Sequence, residues 1–246
     1  MHDLSKKVLV VINVRLDSGR IPNKALTAFC GSSLFEIAVR KLLSSKVIPA
    51  SDILLSYDRQ YSRRYEKHIL DVLNDSNKSI NVYHRSPESC SEETNANLIY
   101  EFADQWYNIK KYDTFMLVTI CCPLLKIETI DAFYSRLKYE DKGGLFGVIK
   151  KKNYIWDRAQ NPMNLPVKEG AVMNTKSDEC LIYEAAHCLY GSKIKYIREK
   201  RFMGGFTKAG PALFVIPENE VFDIDYPWQL EHGKILYEGL MKHDRF

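Results

Sequence analysis

Residues 8–26, VLVVINVRLDSGRIPNKAL, pass from an unbroken aliphatic run to a loop that carries Arg15, Arg20 and Lys24. A strand of this kind, Val8 to Ile12, is apolar on both faces, which predicts a place at the centre of a parallel sheet covered on each side. The carboxyl end of such a strand is where open α/β sheets bind ligands. Gly19 permits an unusual backbone turn, Pro22 stiffens the exit, and Ser18 adds a hydroxyl, so the loop is suited to wrapping an anionic chain such as a triphosphate. A solvated basic loop is the alternative reading of the same residues.

Working outward, helix-like and strand-like segments alternate through the first 150 residues. Ser33-Leu34-Phe35-Glu36 has the form of a capping box, and Leu34, Ile37, Ala38, Val39, Leu42 and Leu43 continue at helical spacing. Further strands are predicted over 53–56, 80–83 and 114–120, and further helices over 61–73, along a face marked by Leu98, Ile99, Phe102 and Trp106, and over 127–137. Repeated βα units imply a doubly wound, mostly parallel α/β sheet. A strand over 145–149 follows, and then 150–179 is polar and irregular and reads as a projecting arm. Strands at 212–216 and 221–224 and a closing helix over 227–241, with Pro in its first turn, complete one domain spanning 1–246.

Composition narrows the classes. Hydrophobic residues make up 46% of the 246, ample for a core, and the net charge of +4 gives no support to a nucleic-acid or membrane-surface partner. The first residues, MHDLSKKVLVVIN, lack the pattern of a secretory leader, so a cytoplasmic address is expected. Cys30, Cys90, Cys121, Cys122, Cys180 and Cys188 form no CxxC pair and are expected to be reduced, non-ligating thiols.

Neither the dinucleotide fingerprint nor the Walker loop is present. Near the other end, Phe222-Asp223-Ile224-Asp225 offers two carboxylates at alternate positions of an extended segment, a spacing that aims both at one cation. Magnesium is bound through one or two carboxylates together with substrate phosphates. The competing reading has Asp225 capping the helix that starts near Pro227, with Asp223 merely solvated.

The series Arg15-x-x-Ser18-x-Arg20-x-Pro22-x-Lys24, Arg85-Ser-Pro-Glu88 with Thr94, Cys122-Pro123-Leu124, and the DID segment at 223–225 resembles the cytidylyltransferases that activate acidic sugars, the CMP-sialic acid and CMP-Kdo synthetases, and lies nearer the sialic acid branch. This resemblance implies a nucleotide-diphospho-sugar transferase-like fold. It implies transfer of CMP from CTP to a sialic acid-like or other 2-keto acid, with release of pyrophosphate, as in cell-surface polysaccharide synthesis. Arg15, Ser18, Gly19, Arg20 and Lys24 would hold the triphosphate, Arg85 and Thr94 would face the nucleotide, and Asp223 and Asp225 would bind Mg²⁺. Arg15, Lys24 and Asp223 would carry the catalysis.

Arg158 and His187 are candidate acceptor contacts; a histidine satisfied at the core edge is the plainer reading of His187. The excursion over 150–190 would reach a partner subunit, giving a homodimer. The sequence departs from the sialic acid pattern at Ala25, at Thr119-Ile120-Cys121-Cys122 and at Ala185-Ala186-His187. An acceptor carrying a phosphonate or sugar phosphate, and a nucleotide-binding protein without turnover, are therefore the alternatives.

Overall fold

The computed structural model describes residues 7–91, 96–165, 180–207 and 210–243. In chain order the elements are β1 (Val8–Asn13), β2 (Ala28–Phe29), β3 (Ser32–Ser33), α1 (Leu34–Leu43), β4 (Ile53–Asp58), α2 (Ser62–Ser76), β5 (Asn81–Arg85), α3 (Pro87–Cys90), α4 (Ala96–Ile99), α5 (Phe102–Gln105), β6 (Thr114–Val118), α6 (Ile127–Lys138), β7 (Gly144–Lys152), β8 (Leu181–Lys193), α7 (Ile194–Arg198), β9 (Ala212–Val215) and α8 (Pro227–His243). Seven strands form one sheet in the order β5-β4-β1-β6-β8-β7-β9. Every pairing is parallel except those of β8, which runs against both β6 and β7.

The aliphatic run explains this order. Val8, Val10 and Ile12 pack into the larger core with α1, α2 and α6, while Leu9 and Val11 pack on the opposite face against Phe102, Ile109, Phe115 and Ile197. A strand dry on both faces must lie inside the sheet. The chain steps from β1 outward to β4 and β5 and then returns to β6 on the other side of β1, so the strand order reverses between β1 and β6. That reversal opens a crevice at the carboxyl ends of the two strands, the place where such sheets receive ligands.

Helix α1 starts as the sequence predicts: the Ser33 side chain accepts the Glu36 backbone N–H (3.2 Å). Glu36 does not close the box back onto Ser33; its carboxylate takes the Ser32 hydroxyl (2.8 Å) and His68 (2.8 Å) instead.

Three expectations change. The face marked by Leu98, Ile99, Phe102 and Trp106 is not one helix: Trp106 is extended (φ −78°, ψ 119°), and α4 and α5 are single turns, with Phe102 of α5 filling the core. The predicted strand over 221–224 joins no ladder; its Ile224 N–H is spent on Cys121 O (2.9 Å). Lys150–Lys152 belong to β7, paired with Leu181–Tyr183, so the sheet runs further than predicted before the excursion, of which 166–179 lies outside the described residues. A small hairpin, β2–β3, was not legible because its turn uses Cys30 (φ 50°) beside Gly31 (φ 78°), where Asn or Asp is the usual signal. None of the six cysteines is in a disulfide, and no described helix is long and apolar enough to cross a membrane.

Candidate active site

The loop leaving β1 is held residue by residue. Val14 N–H donates to Ser56 O (2.9 Å) and Val14 O accepts from the Arg85 guanidinium (3.1 Å). Arg15 Nη1 donates to Cys90 O (3.1 Å) and Ser91 O (2.6 Å), and Leu16 N–H donates to Asp58 Oδ2 (2.6 Å). Beyond these anchors Ser18 is half-buried, while Gly19 and Arg20 are exposed. A turn at 23–26, with Asn23 left-handed (φ 55°), then carries Lys24 inward.

Lys24 meets the far end of the chain. Its ammonium, 13% exposed, donates to Ile224 O (2.8 Å) and to Asp225 Oδ1 (3.0 Å). Arg20 Nη2 reaches the same Asp225 oxygen (3.0 Å), and its guanidinium lies 5.2 Å from the centre of the Tyr226 ring. Burial works to lower the Lys24 pKa, but the Cys121 thiol and Asp225 outweigh it and hold the ammonium above its ordinary value.

The aspartates therefore behave differently. Among the described residues Asp223 has no hydrogen bond or ion pair; burial first and then repulsion from Asp225 push its pKa up, against the pull of Lys24, His187 and Arg20. Asp225 does not cap α8. Gln229 folds back to accept the N–H groups of Asp225 (2.8 Å) and Tyr226 (2.8 Å), leaving the Asp225 carboxylate to the cations.

The opposite wall is a bulge in β8. Register is lost between Phe146/Val148 of β7 and Ala185/Tyr190 of β8, and His187 sits there with φ 52°, a left-handed conformation that costs a residue other than glycine free energy and marks a constrained position. The bulge is fixed from the residue that follows β6, with Thr119 Oγ1 donating to His187 O (3.1 Å), and the ring pairs with Tyr190 Oη (3.1 Å). His187 itself is exposed at this wall.

The expected nucleotide residues do not all reach the crevice. Arg85 is 3% exposed, and its guanidinium is committed to Val14 O, Ser89 Oγ (3.1 Å) and Ser89 O. It braces the loop from below, because its position opposite Asp58 in the β4–β5 register points it into the sheet. Thr94 lies outside the described residues. Arg158 is exposed on the 153–165 segment, with no described contact to the crevice residues. Three participants were not read from sequence: Cys121 beside Lys24, Tyr226 under Arg20, and Asp58. Only Asp58 carried a signal, as the lone charged residue of its strand, at its end.

Two carboxylates sharing a small volume, one of them without a pairing partner, suit a hard divalent cation such as Mg²⁺ with phosphate oxygens completing its shell. No group of three or more His, Cys, Asp or Glu among the described residues could hold a metal unaided.

The cytidylyltransferase profile matches residues 9–200. No curated protein sequence matches significantly. Among solved structures the chain is similar to CMP-2-keto-3-deoxy-manno-octonic acid synthetase complexed with CTP (TM-score 0.65, 11% identity, 95% of this chain and 99% of that one). It is also similar to 4-diphosphocytidyl-2C-methyl-D-erythritol synthase from Anaerococcus prevotii (TM-score 0.60, 13% identity, 95% and 99%) and to a cytidylyltransferase from Leptospira borgpetersenii (TM-score 0.54, 13% identity, 98% and 96%). At these identities the structural likeness speaks to the fold, whereas the profile spans most of the sequence with the loop and the β8 bulge inside it. The chain belongs to the cytidylyltransferase family of CTP-dependent nucleotidyl-transferring enzymes.

Proposed function

We propose that this cytidylyltransferase moves CMP from CTP onto the hydroxyl of an acidic 2-keto sugar, with release of pyrophosphate. The observation that carries the reading is the meeting of Lys24 and Arg20 with Asp225, residues from opposite ends of the chain, at the strand-order reversal. Ser18, Gly19, Arg20 and Lys24 would hold the triphosphate, with Arg15 holding the loop against 90–91 and adding charge beneath it.

Lys24 is placed to neutralise charge building on the α-phosphate and the departing pyrophosphate, from a low-dielectric position where such neutralisation is worth most. Asp223 and Asp225 would hold Mg²⁺, which when bound aligns the triphosphate and lowers the pKa of the attacking hydroxyl. His187, braced by Tyr190, faces the side from which an acceptor would approach, and Arg158 would pair with the acceptor's carboxylate if the 153–165 segment folds over it. The excursion is proposed to bind a second copy, so light scattering should give twice the chain mass.

Pyrophosphate release tests the reading directly. Purified protein is incubated with Mg²⁺, each of the four nucleoside triphosphates, and a panel of 2-keto sugar acids, sugar phosphates and phosphonates. Release confined to CTP with a 2-keto acid supports the proposal. Release with a phosphonate or sugar phosphate alone replaces the acceptor, and CTP binding without release from any acceptor overturns the activity.

A further inference from the structure

We infer that Asp58 is a positioning residue: its carboxylate sets the triphosphate-binding loop in register by fixing Leu16 N–H, without touching the nucleotide. This inference rests on the functional reading of that loop. Asp58 ends β4 and is 1% exposed, a site where an ionisable side chain is costly unless it has a specific task. Its Oδ2 accepts the Leu16 amide at 2.6 Å across 42 residues of sequence. Its register partner on β5, Arg85, is also buried and donates to Val14 O (3.1 Å).

Two neighbouring side chains of opposite charge thus grip the loop at alternate residues, one on a carbonyl and one on an amide. Arg85 also donates to Ser89 Oγ (3.1 Å), so the grip is tied to the 86–91 segment on which Arg15 also rests. Leu16 itself is buried (1%), and the residues it leads into are Ser18, Gly19, Arg20 and Lys24. A loop set in advance pays its ordering cost during folding rather than on nucleotide binding, which raises affinity without adding a contact.

A positioning role for the phosphate loop predicts a split between nucleotides that a general defect would not produce. Asp58→Ala should weaken CTP binding by about tenfold or more and leave CMP, which lacks the β- and γ-phosphates, within about twofold. Asp58→Asn keeps an oxygen for Leu16 N–H and should recover most of the CTP affinity. Equal losses for CTP and CMP, or a CTP affinity unchanged in Asp58→Ala, overturn the inference.

If the alanine variant does not fold, the asparagine variant and wild-type amide exchange decide. Leu16 N–H should already be strongly protected in the nucleotide-free protein, and a fast-exchanging Leu16 amide refutes the grip. Wild-type protein that binds no CTP would refute the functional reading instead, a result separable from a protected Leu16 amide.

Discussion

Replacing Asp225 with Asn separates two demands on one carboxylate. In the nucleotide-free protein Asp225 occupies the cations that the triphosphate would use, since Lys24 and Arg20 both lie 3.0 Å from its Oδ1. A hydrogen bond to a charged group is worth about 1.5–3 kcal/mol. The Lys24 contact, with the lysine 13% exposed, belongs in that range, while the Arg20 contact, with the arginine 52% exposed, adds little after screening. Asparagine keeps an oxygen acceptor of the same size, so the net loss is about 1–2 kcal/mol.

For a chain of this length that lowers Tm by about 2–8 °C. The same energy is a cost that CTP must meet to displace Asp225, and the variant removes it. In EDTA, calorimetric titration should show CTP binding about 5- to 30-fold more tightly to Asp225→Asn than to wild type, although pyrophosphate release with Mg²⁺ is lost. Weaker or unchanged CTP binding in EDTA would refute the argument that Asp225 stands in for phosphate.

Other outcomes follow from the same geometry. Lys24→Met should cut CTP affinity by about 10- to 150-fold, measured by titration, because the lost contact is charged and nearly buried. Asp223→Asn should raise Tm at pH 7.5. The folded protein holds the Asp223 proton more tightly than the unfolded chain, so stability falls as pH rises from the ordinary carboxylate range through the raised folded pKa; the variant escapes this cost, and its advantage should vanish below about pH 4. Gly147→Ala places a Cβ 2.8 Å from Ile216 Cδ1 and 3.0 Å from Leu189 O, opposite the bulge. It should cost about 1–3 kcal/mol in thermal unfolding and disturb His187, raising KM for the acceptor more than for CTP.

The legible parts of this protein share a physical reason. The both-faces apolar run of β1, the Ser33 cap and the βα alternation are local patterns, and each survives in the structure because tertiary packing asks for the same thing. The failures are long-range. Arg85 looks in sequence like a nucleotide contact, yet whether an arginine at a strand end faces solvent or sheet depends on its neighbour, here the buried Asp58. Asp225 looks like a helix cap or a metal ligand, and the choice rests on Gln229, which takes the capping role and releases the carboxylate. The kink at Trp106 and the left-handed His187 are set by core aromatics and by a register shift, neither of which has a local signature.

Charge balance links these long-range features to the chemistry. Before nucleotide arrives, Lys24 and Arg20 are both paired with Asp225, which helps keep the Lys24 ammonium charged despite its burial. A triphosphate entering alone would add several negative charges beside two carboxylates, and only Lys24 and Arg20 would be released to meet them. On the proposed reading a divalent cation arriving with the nucleotide would give Asp225 a new partner when Lys24 engages phosphate, and would give Asp223 its first. Nucleotide and metal affinities should then be reciprocally coupled, each tightening the other by the same factor. Titrating CTP at increasing Mg²⁺ in wild type and in Asp223→Asn measures that factor, and a factor of one in wild type would separate the carboxylates from the phosphate site.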